Sequence, residues 1–434
     1  MKLTRITGIV AGLSLLVAGM QAQVSLPAIF TDHMVLQQKS EVPVWGWGSA
    51  SATIKVVGSW APQDTATTVV RSDGTWDTTL KTIGAGGPYT LSVLGDGTRE
   101  LKDVMLGEVW LCSGQSNMEW TPMHGIDNSE EEVAAANYPN IRFFHIPKRG
   151  AATPQNNCEA SWAPCTPDRM KSTSAIAYFF GRDLQKDLNV PVGLIVSAWG
   201  GTPAEVWVPE EQVMNNPRIR DVMPDKTYPW WPVEPGVLYN QMISPVVPYA
   251  LAGAIWYQGE SNRDHPDSYG ILLKTMVESW RKSFKKDFPF YLVQIAPFTY
   301  NAGDNGAALV REHQEWVART VPGAGMVAVS DCVADVKNIH PTDKQSVGQR
   351  LANMALGKIY GRLDSGYESP LFESMTIDKN KAVISFLHAG NGLMCKDKEI
   401  TGFMIAGEDG VFVPAKVRIK DNTVVVTSSK VKKP

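Results

Sequence analysis

Four short polar clusters in this chain each follow an apolar run, and together they hold the parts needed for acyl transfer. Gly114-Gln115-Ser116-Asn117 follows the run 109–113, and Trp199-Gly200-Gly201-Thr202 follows 192–198. Gln258-Gly259-Glu260-Ser261-Asn262 follows 252–257. Ser330-Asp331 ends the run 325–330, with Asn338-Ile339-His340-Pro341 shortly beyond. A serine hydroxyl is a weak nucleophile and needs a base such as histidine within hydrogen-bond reach. The tetrahedral oxyanion needs two or three fixed donors. Ser116 is the candidate nucleophile, with donors from its own N–H, a glycine N–H at 200–201 and the Gln258 amide. A glycine there lets backbone approach the substrate closely.

Each cluster alone is ordinary. A serine after a strand is commonly a turn residue, two glycines make a turn, and a glutamine can be a loop amide. The histidines at 33, 124, 145, 265, 313 and 388 read as packing or surface residues. His340 differs in context, because it lies between an apolar run and the start of the helical segment "DKQSVGQRLANMALGKI". Thr342 and Gln345 are spaced as a capping box for that helix.

The elements that must position these clusters follow from hydrophobic period. Apolar runs of strand length occur at 109–113, 141–146, 192–198, 252–257, 290–296 and 325–330. Helical segments separate most of them. "SAIAYFFGRDLQKDL" places Ile176, Phe179, Phe180 and Leu184 on one face, "SYGILLKTMVESWRKSF" does so with Leu272, Met276 and Trp280, and "GAALVREHQEWVART" follows the fifth run. Alternation of this kind predicts a parallel sheet covered on both faces, with reactive groups at the carboxyl ends of its strands. Residues 23–105 alternate in the β manner between Asp-Gly and Gly-Gly turns, which predicts a small all-β module. A second β module is expected over 366–434, leaving 106–365 as the α/β domain.

Bulk properties exclude several classes. The chain has 434 residues, 44% apolar and 20% charged, with a formal net charge of −3. That balance offers no broad basic surface for nucleic acid. Lys2 and Arg5 precede an apolar stretch, Ile9–Met20, too short to span a bilayer, so residues 1–22 read as an export signal cleaved after Ala22. Removing those two cations takes the net charge from −3 to −5. A periplasmic or secreted protein without a stable membrane anchor is expected. Cys158 and Cys165 are close enough in sequence to close a small disulfide loop. Cys112 reads as a small buried hydrophobe. No metal-ligand spacing and no phosphate-cradling loop stand out, so neither metal nor cofactor is expected.

The motifs carry a resemblance. "LPAIFTDHMVLQQ", "VPVWGWG", "GEVWLCSGQSNMEW", "VPVGLIVSAWGGTPAEVW", "WYQGESN" and "IHPTDKQSVGQRLA" are similar to stretches of the sialate O-acetylesterase family, secreted carbohydrate acetylesterases of the SGNH hydrolase fold. They span most of residues 26–360, and "GQSNM" with "YQGESN" is a specific pairing. The resemblance implies a flavodoxin-like parallel sheet and an acetylated carbohydrate as substrate. By the same resemblance, Ser116 is the nucleophile and His340 the base. Ser116 N–H, Gly201 (or Gly200) and Gln258 form the oxyanion hole. Glu260 fixes the loop carrying Gln258, and Asn117 supports the elbow.

The chain departs from that pattern twice. Related hydrolases carry an aspartate two or three residues before the histidine, where this chain has Asn338 and Lys337. Asp335 is the first candidate for the orienting acid, then Asp331 and Glu260, and a Ser–His dyad oriented by a carbonyl is the alternative. Family chains also continue past "SSKVKKP", so the last β module is expected to lack an edge strand. A non-catalytic carbohydrate-binding protein and a lipase or thioesterase of the same fold are the rival functions. Against the second stand 14 tryptophans. Trp120, Trp199, Trp207, Trp230, Trp231 and Trp256 fall near the expected site, and aromatic faces suit pyranose stacking. Sialic acid, xylan, xyloglucan and pectin remain open as carriers of the ester, with Arg263 the one candidate partner for a sialate carboxylate.

Overall fold

The computed structural model describes residues 23–223, 227–301, 303–395 and 399–434; the expected export signal, 1–22, lies outside the described residues. The elbow at Ser116 ends a long strand, β1 (Thr98–Gly114), whose residues are buried from Val104 onward. The further strands of the central sheet are β2 (Tyr138–His145), β3 (Trp162–Cys165), β4 (Val192–Ala198), β5 (Gly253–Tyr257), β6 (Phe290–Val293) and β7 (Ala324–Val327). Their order is β7-β6-β5-β1-β4-β2-β3, parallel throughout except that edge strand β3 runs antiparallel to β2. β4 and β5 are buried at every residue. Such continuous apolar runs suit strands covered on both faces, where alternation would leave one face wet.

The chain leaves β1 for β2 on one side and later supplies β5 on the other. Strand order therefore reverses at β1, and in open parallel sheets ligands bind at the carboxyl end of the strands at such a reversal. The covering helices include α1 (Ser116–Glu119), α2 (Ala175–Leu188), α3 (Pro266–Phe284), α4 (Gly306–Thr320) and α5 (Lys344–Lys358). α2 buries Ile176, Phe179, Phe180 and Leu184, and α3 buries Leu272, Met276 and Trp280, the faces their spacing predicts. The cap of α5 is a correction to the expected Thr342. Asp343 holds the N-cap and accepts from Ser346 N at 2.9 Å. A carboxylate there satisfies an orphan amide and also meets the positive end of the helix dipole.

The N-terminal residues form short antiparallel pairings, among them Glu41–Trp47 with Thr75–Lys81 and Thr53–Gly58 with Ala66–Val69. They share β1 with the α/β layer: its outer half pairs with Gly86–Leu94, and Val35–Gln37 joins it in parallel over Met105–Gly107. Polar clasps close the junction. Buried Glu108 accepts from Gln37 Nε2 (2.9 Å), Gln38 Nε2 (2.7 Å) and the Tyr360 hydroxyl (2.9 Å). Arg142 forks onto Asp103 at 2.7 and 3.2 Å. At the far end Leu371–Asp378, Lys381–Leu387, Thr423–Thr427 and Lys416–Lys420 form an antiparallel sheet over a small core of its own, including Ala382, Val424 and Val426.

Cys158 and Cys165, close enough in sequence to close a disulfide loop, are not bonded to each other. All five cysteines are free, and the Cys165 thiol points at the Ala136 carbonyl from within the β2–β3 pair. Among the described residues no helix is long and apolar enough to cross a membrane.

Candidate active site

Gly114 makes the elbow possible. Its φ is +144°, and a Cβ at this position would lie 2.1 Å from the Tyr257 carbonyl oxygen of β5. With no side chain in the way, β1 turns against β5 and delivers Ser116 as the first residue of α1. The turn is tied on both sides. Gln115 N donates to Tyr257 O at 3.0 Å, and Trp199 N donates to Gly114 O at 3.0 Å. Buried Gln115 also accepts from Gly259 N (3.2 Å) and Ser261 N (3.4 Å) through Oε1, which fixes the loop after β5. Nothing in the sequence reading marked Gln115 for this task.

The structure brings Ser116 and His340 together across 224 residues, with His340 Nε2 2.8 Å from Ser116 Oγ. The indole of Trp120 stacks on the imidazole at 4.0 Å between centroids and 19° between planes. Burial pulls the His340 pKa down to about 4, with Lys344 and His124 adding repulsion. The ring is therefore neutral near pH 7 and can accept a proton from Ser116.

Among the described residues no carboxylate hydrogen-bonds this imidazole, which corrects the expectation of an orienting acid. Among the described residues, the His340 ring hydrogen-bonds Ser116 alone. Asp335 is exposed and turned back on its own turn, where it accepts from Lys337 N at 2.9 Å. Asp331 forks onto Arg350 at 2.7 and 2.6 Å. Glu260 is buried and accepts from Asn117 Nδ2 at 2.7 Å. The backbone of His340 is held instead, its N–H donating to Asn338 Oδ1 at 2.9 Å. Asn338, standing where an acid was expected, shapes the turn.

Gln258 needs a second correction. It is 0% exposed, and its Nε2 donates to Thr202 O (3.2 Å) and Asn262 Oδ1 (2.7 Å). Its Oε1 accepts from the Tyr269 hydroxyl at 3.1 Å. With both amide hydrogens committed, Gln258 braces the loops after β4 and β5 and has no donor left for an oxyanion. Gly200 is committed as well, its N–H donating to Glu119 Oε2 at 2.6 Å while Lys148 Nζ holds Oε1 at 2.6 Å. The N–H groups of Ser116 and Gly201 have no acceptor among the described residues. Glu119 escaped the sequence reading, although its place three residues after Ser116 on one short helix was a usable signal.

Gly201, at φ +80°, is faced by Trp231, whose ring would meet a Cβ there at 2.6 Å. Tyr228 and Trp230 flank Trp231 at 4.9 and 5.7 Å, and Trp230 is 64% exposed. Trp207 and Trp256 are instead fully buried and pack edge to face on each other. Arg263 is engaged by Asp304 and Asp264 and lies over the Tyr300 ring. A cleft of about 690 Å³ lies elsewhere, lined by Trp45, Trp47, Asp77 and the segments that precede β5 and β6. It opens at the amino ends of the strands, away from Ser116. Among the described residues no cluster of His, Cys, Asp or Glu is placed to share a metal ion.

Residues 106–357, which carry all four loops meeting at Ser116, match the family of carbohydrate esterases described as sialic acid-specific acetylesterases. The chain belongs to that family. Sialate O-acetylesterases from Homo sapiens and Pongo abelii are each 31% identical to it over 396 residues, covering 82% of this chain and 75% of theirs. A carbohydrate acetylesterase from Xanthomonas citri is similar in structure, with a TM-score of 0.85 at 34% identity over 95% of this chain and 92% of the other. The protein is thus an enzyme of the carbohydrate O-acetylesterase class on an α/β fold with a central parallel sheet.

Proposed function

We propose that this esterase removes O-acetyl groups from a carbohydrate through an acyl-enzyme on Ser116, with His340 as the base. The 2.8 Å contact between His340 Nε2 and Ser116 Oγ carries the reading. As Oγ attacks the acetyl carbonyl, its proton passes to Nε2, and the oxyanion is met by the N–H groups of Ser116 and Gly201. Collapse expels the sugar alkoxide, which takes the proton back from Nε2 and leaves acetyl-Ser116. Water then attacks with the same histidine as base, the acyl C–Oγ bond breaks, Ser116 Oγ takes the proton back from Nε2, and acetate leaves. Trp120 holds the imidazole plane by stacking, so the site operates as a dyad whose orienter is an aromatic face and a backbone turn.

The aromatic platform of Trp231, Trp230 and Tyr228 beside Gly201 is the proposed seat for the sugar ring, since exposed indoles stack on pyranose faces. Arg263 is occupied by two aspartates and favours no sialate carboxylate over a neutral sugar. Ser116→Ala should remove acetate release from acetylated glycans and from 4-nitrophenyl acetate by about 10⁴-fold or more while the protein stays folded. Activity at a tenth of wild type would end the assignment. Octanoyl ester turnover above acetyl turnover would move the enzyme to the lipase reading.

A further inference from the structure

Beneath the dyad lies a buried polar group that acyl transfer does not use. Lys344, the first residue of α5, is 1% exposed, and its Nζ donates to Asn117 Oδ1 at 2.6 Å. A lysine ammonium only donates, so this contact settles the orientation of the Asn117 amide. Its Nδ2 must face the other way, where it donates to Glu260 Oε1 at 2.7 Å and to the Ile339 carbonyl at 3.0 Å. Asn117 follows Ser116 in the chain, and Ile339 precedes His340. One amide thus joins the residues adjoining the two reacting groups, and Lys344 determines which way that amide points.

We propose that Lys344 is a positioning residue: by orienting Asn117 it straps the His340 loop to the Ser116 elbow, a task that an orienting carboxylate performs elsewhere. The proposal rests on the reading of Ser116 and His340 as nucleophile and base. A plain packing role would suit an apolar side chain better, because burying an ammonium at this depth is unfavourable unless it is compensated. Its compensation is specific. Glu260 and Asp343 are its carboxyl-bearing neighbours, and the rings of Trp120 and Tyr257 lie 5.7 and 6.0 Å from Nζ. Trp120 is also the ring stacked on His340.

The cation has a second consequence at the base. The titratable groups facing the His340 imidazole are Lys344 from α5 and His124 from the turn after α1. Both oppose its protonation, after the larger effect of burial. Burial also draws the Lys344 ammonium down to about 7, against the pull of Glu260 and Asp343. In acid, where His340 begins to protonate, Lys344 is fully charged and delays that protonation.

Two variants of the full chain separate strap from charge. Lys344→Met removes both, and should lower kcat on 4-nitrophenyl acetate by about 10²-fold, the cost of misplaced reacting groups, with KM nearly unchanged. Lys344→Gln keeps a donor for Asn117 but not the charge. It should lose less kcat than Lys344→Met, while the acid limb of its kcat/KM profile moves to higher pH. A merely structural lysine would lower the melting temperature and leave that limb where it was, so an unmoved limb in folded Lys344→Gln overturns the proposal. Wild-type kcat in Lys344→Met does the same. Should Lys344→Met fail to fold, Lys344→Gln alone decides by its limb. Ser116→Ala run in parallel keeps the outcomes apart: if that variant stays active, the esterase reading falls first.

Discussion

His340 is the residue on which the proposed chemistry turns, and its environment makes a measurable demand. A solvent-exposed histidine titrates near 6.5, whereas burial holds this one down to about 4. Deacetylation through the proposed Ser116–His340 pair requires the neutral ring, so activity should survive acidification that would silence an ordinary imidazole. The acid limb of kcat/KM is expected between about pH 4 and 5, and a limb at 6.5 in the pH–rate profile would contradict the burial argument. Gln258 makes the opposite kind of demand. Because its amide is spent on Thr202, Asn262 and Tyr269, Gln258→Ala should act through stability, by about 2–3 kcal/mol of buried hydrogen bonding left unmet. Chemical denaturation measures that loss. A drop of 10²-fold in kcat with unchanged stability would restore Gln258 to the oxyanion hole.

Among the elements, β1 and its elbow carry the tightest constraint. Gly114→Ala would force a side chain into positive φ and against the Tyr257 carbonyl, 2.1 Å from the new Cβ. Strain and overpacking together should cost about 3 kcal/mol or more, and Ser116 should lose its alignment with His340. A melting temperature within a degree of wild type would refute the geometry. The strands were legible as apolar runs because burial on both faces leaves no polar alternation to misread. Helix faces were legible for the same reason, as Phe179 and Trp280 show. The start of α5 was displaced from Thr342 to Asp343, since spacing proposes a capping box while the carboxylate nearer the helix takes the amide.

At the scale of the molecule, the N-terminal β residues and the α/β layer share β1 and a common apolar core reaching from Val24 to Leu356. Glu108 sits at their junction with three donors on its carboxylate. Glu108→Ala should cost about 2–3 kcal/mol by leaving the Gln37, Gln38 and Tyr360 donors unmet. It should lower the unfolding midpoint of both layers together. A calorimetric trace in which the α/β layer melts unchanged while a separate early transition appears would show that the layers are independent. The motifs "MVLQQ" and "GEVW", far apart in the chain, are thus two halves of one clasp.

Residue types and order were enough to single out the serine and histidine that meet, the glycine loop and the parallel sheet that gathers them, because polar clusters after apolar runs and strands buried on both faces each leave a local mark. The partners of those groups left none. Whether a glutamine amide is free or spent depends on what lies across from it: Asn262 is four residues away in the same loop, but Thr202, after β4, lies across from Gln258 only once β4 and β5 flank β1. Asp335 looked available by spacing, yet its turn aims the carboxylate at Lys337 N and leaves the ring to Trp120. Lys344, in a polar stretch at the start of a helix, gave no hint of burial. The helix axis of α5 decides that by directing its first turn beneath the elbow, where an ammonium meets Asn117.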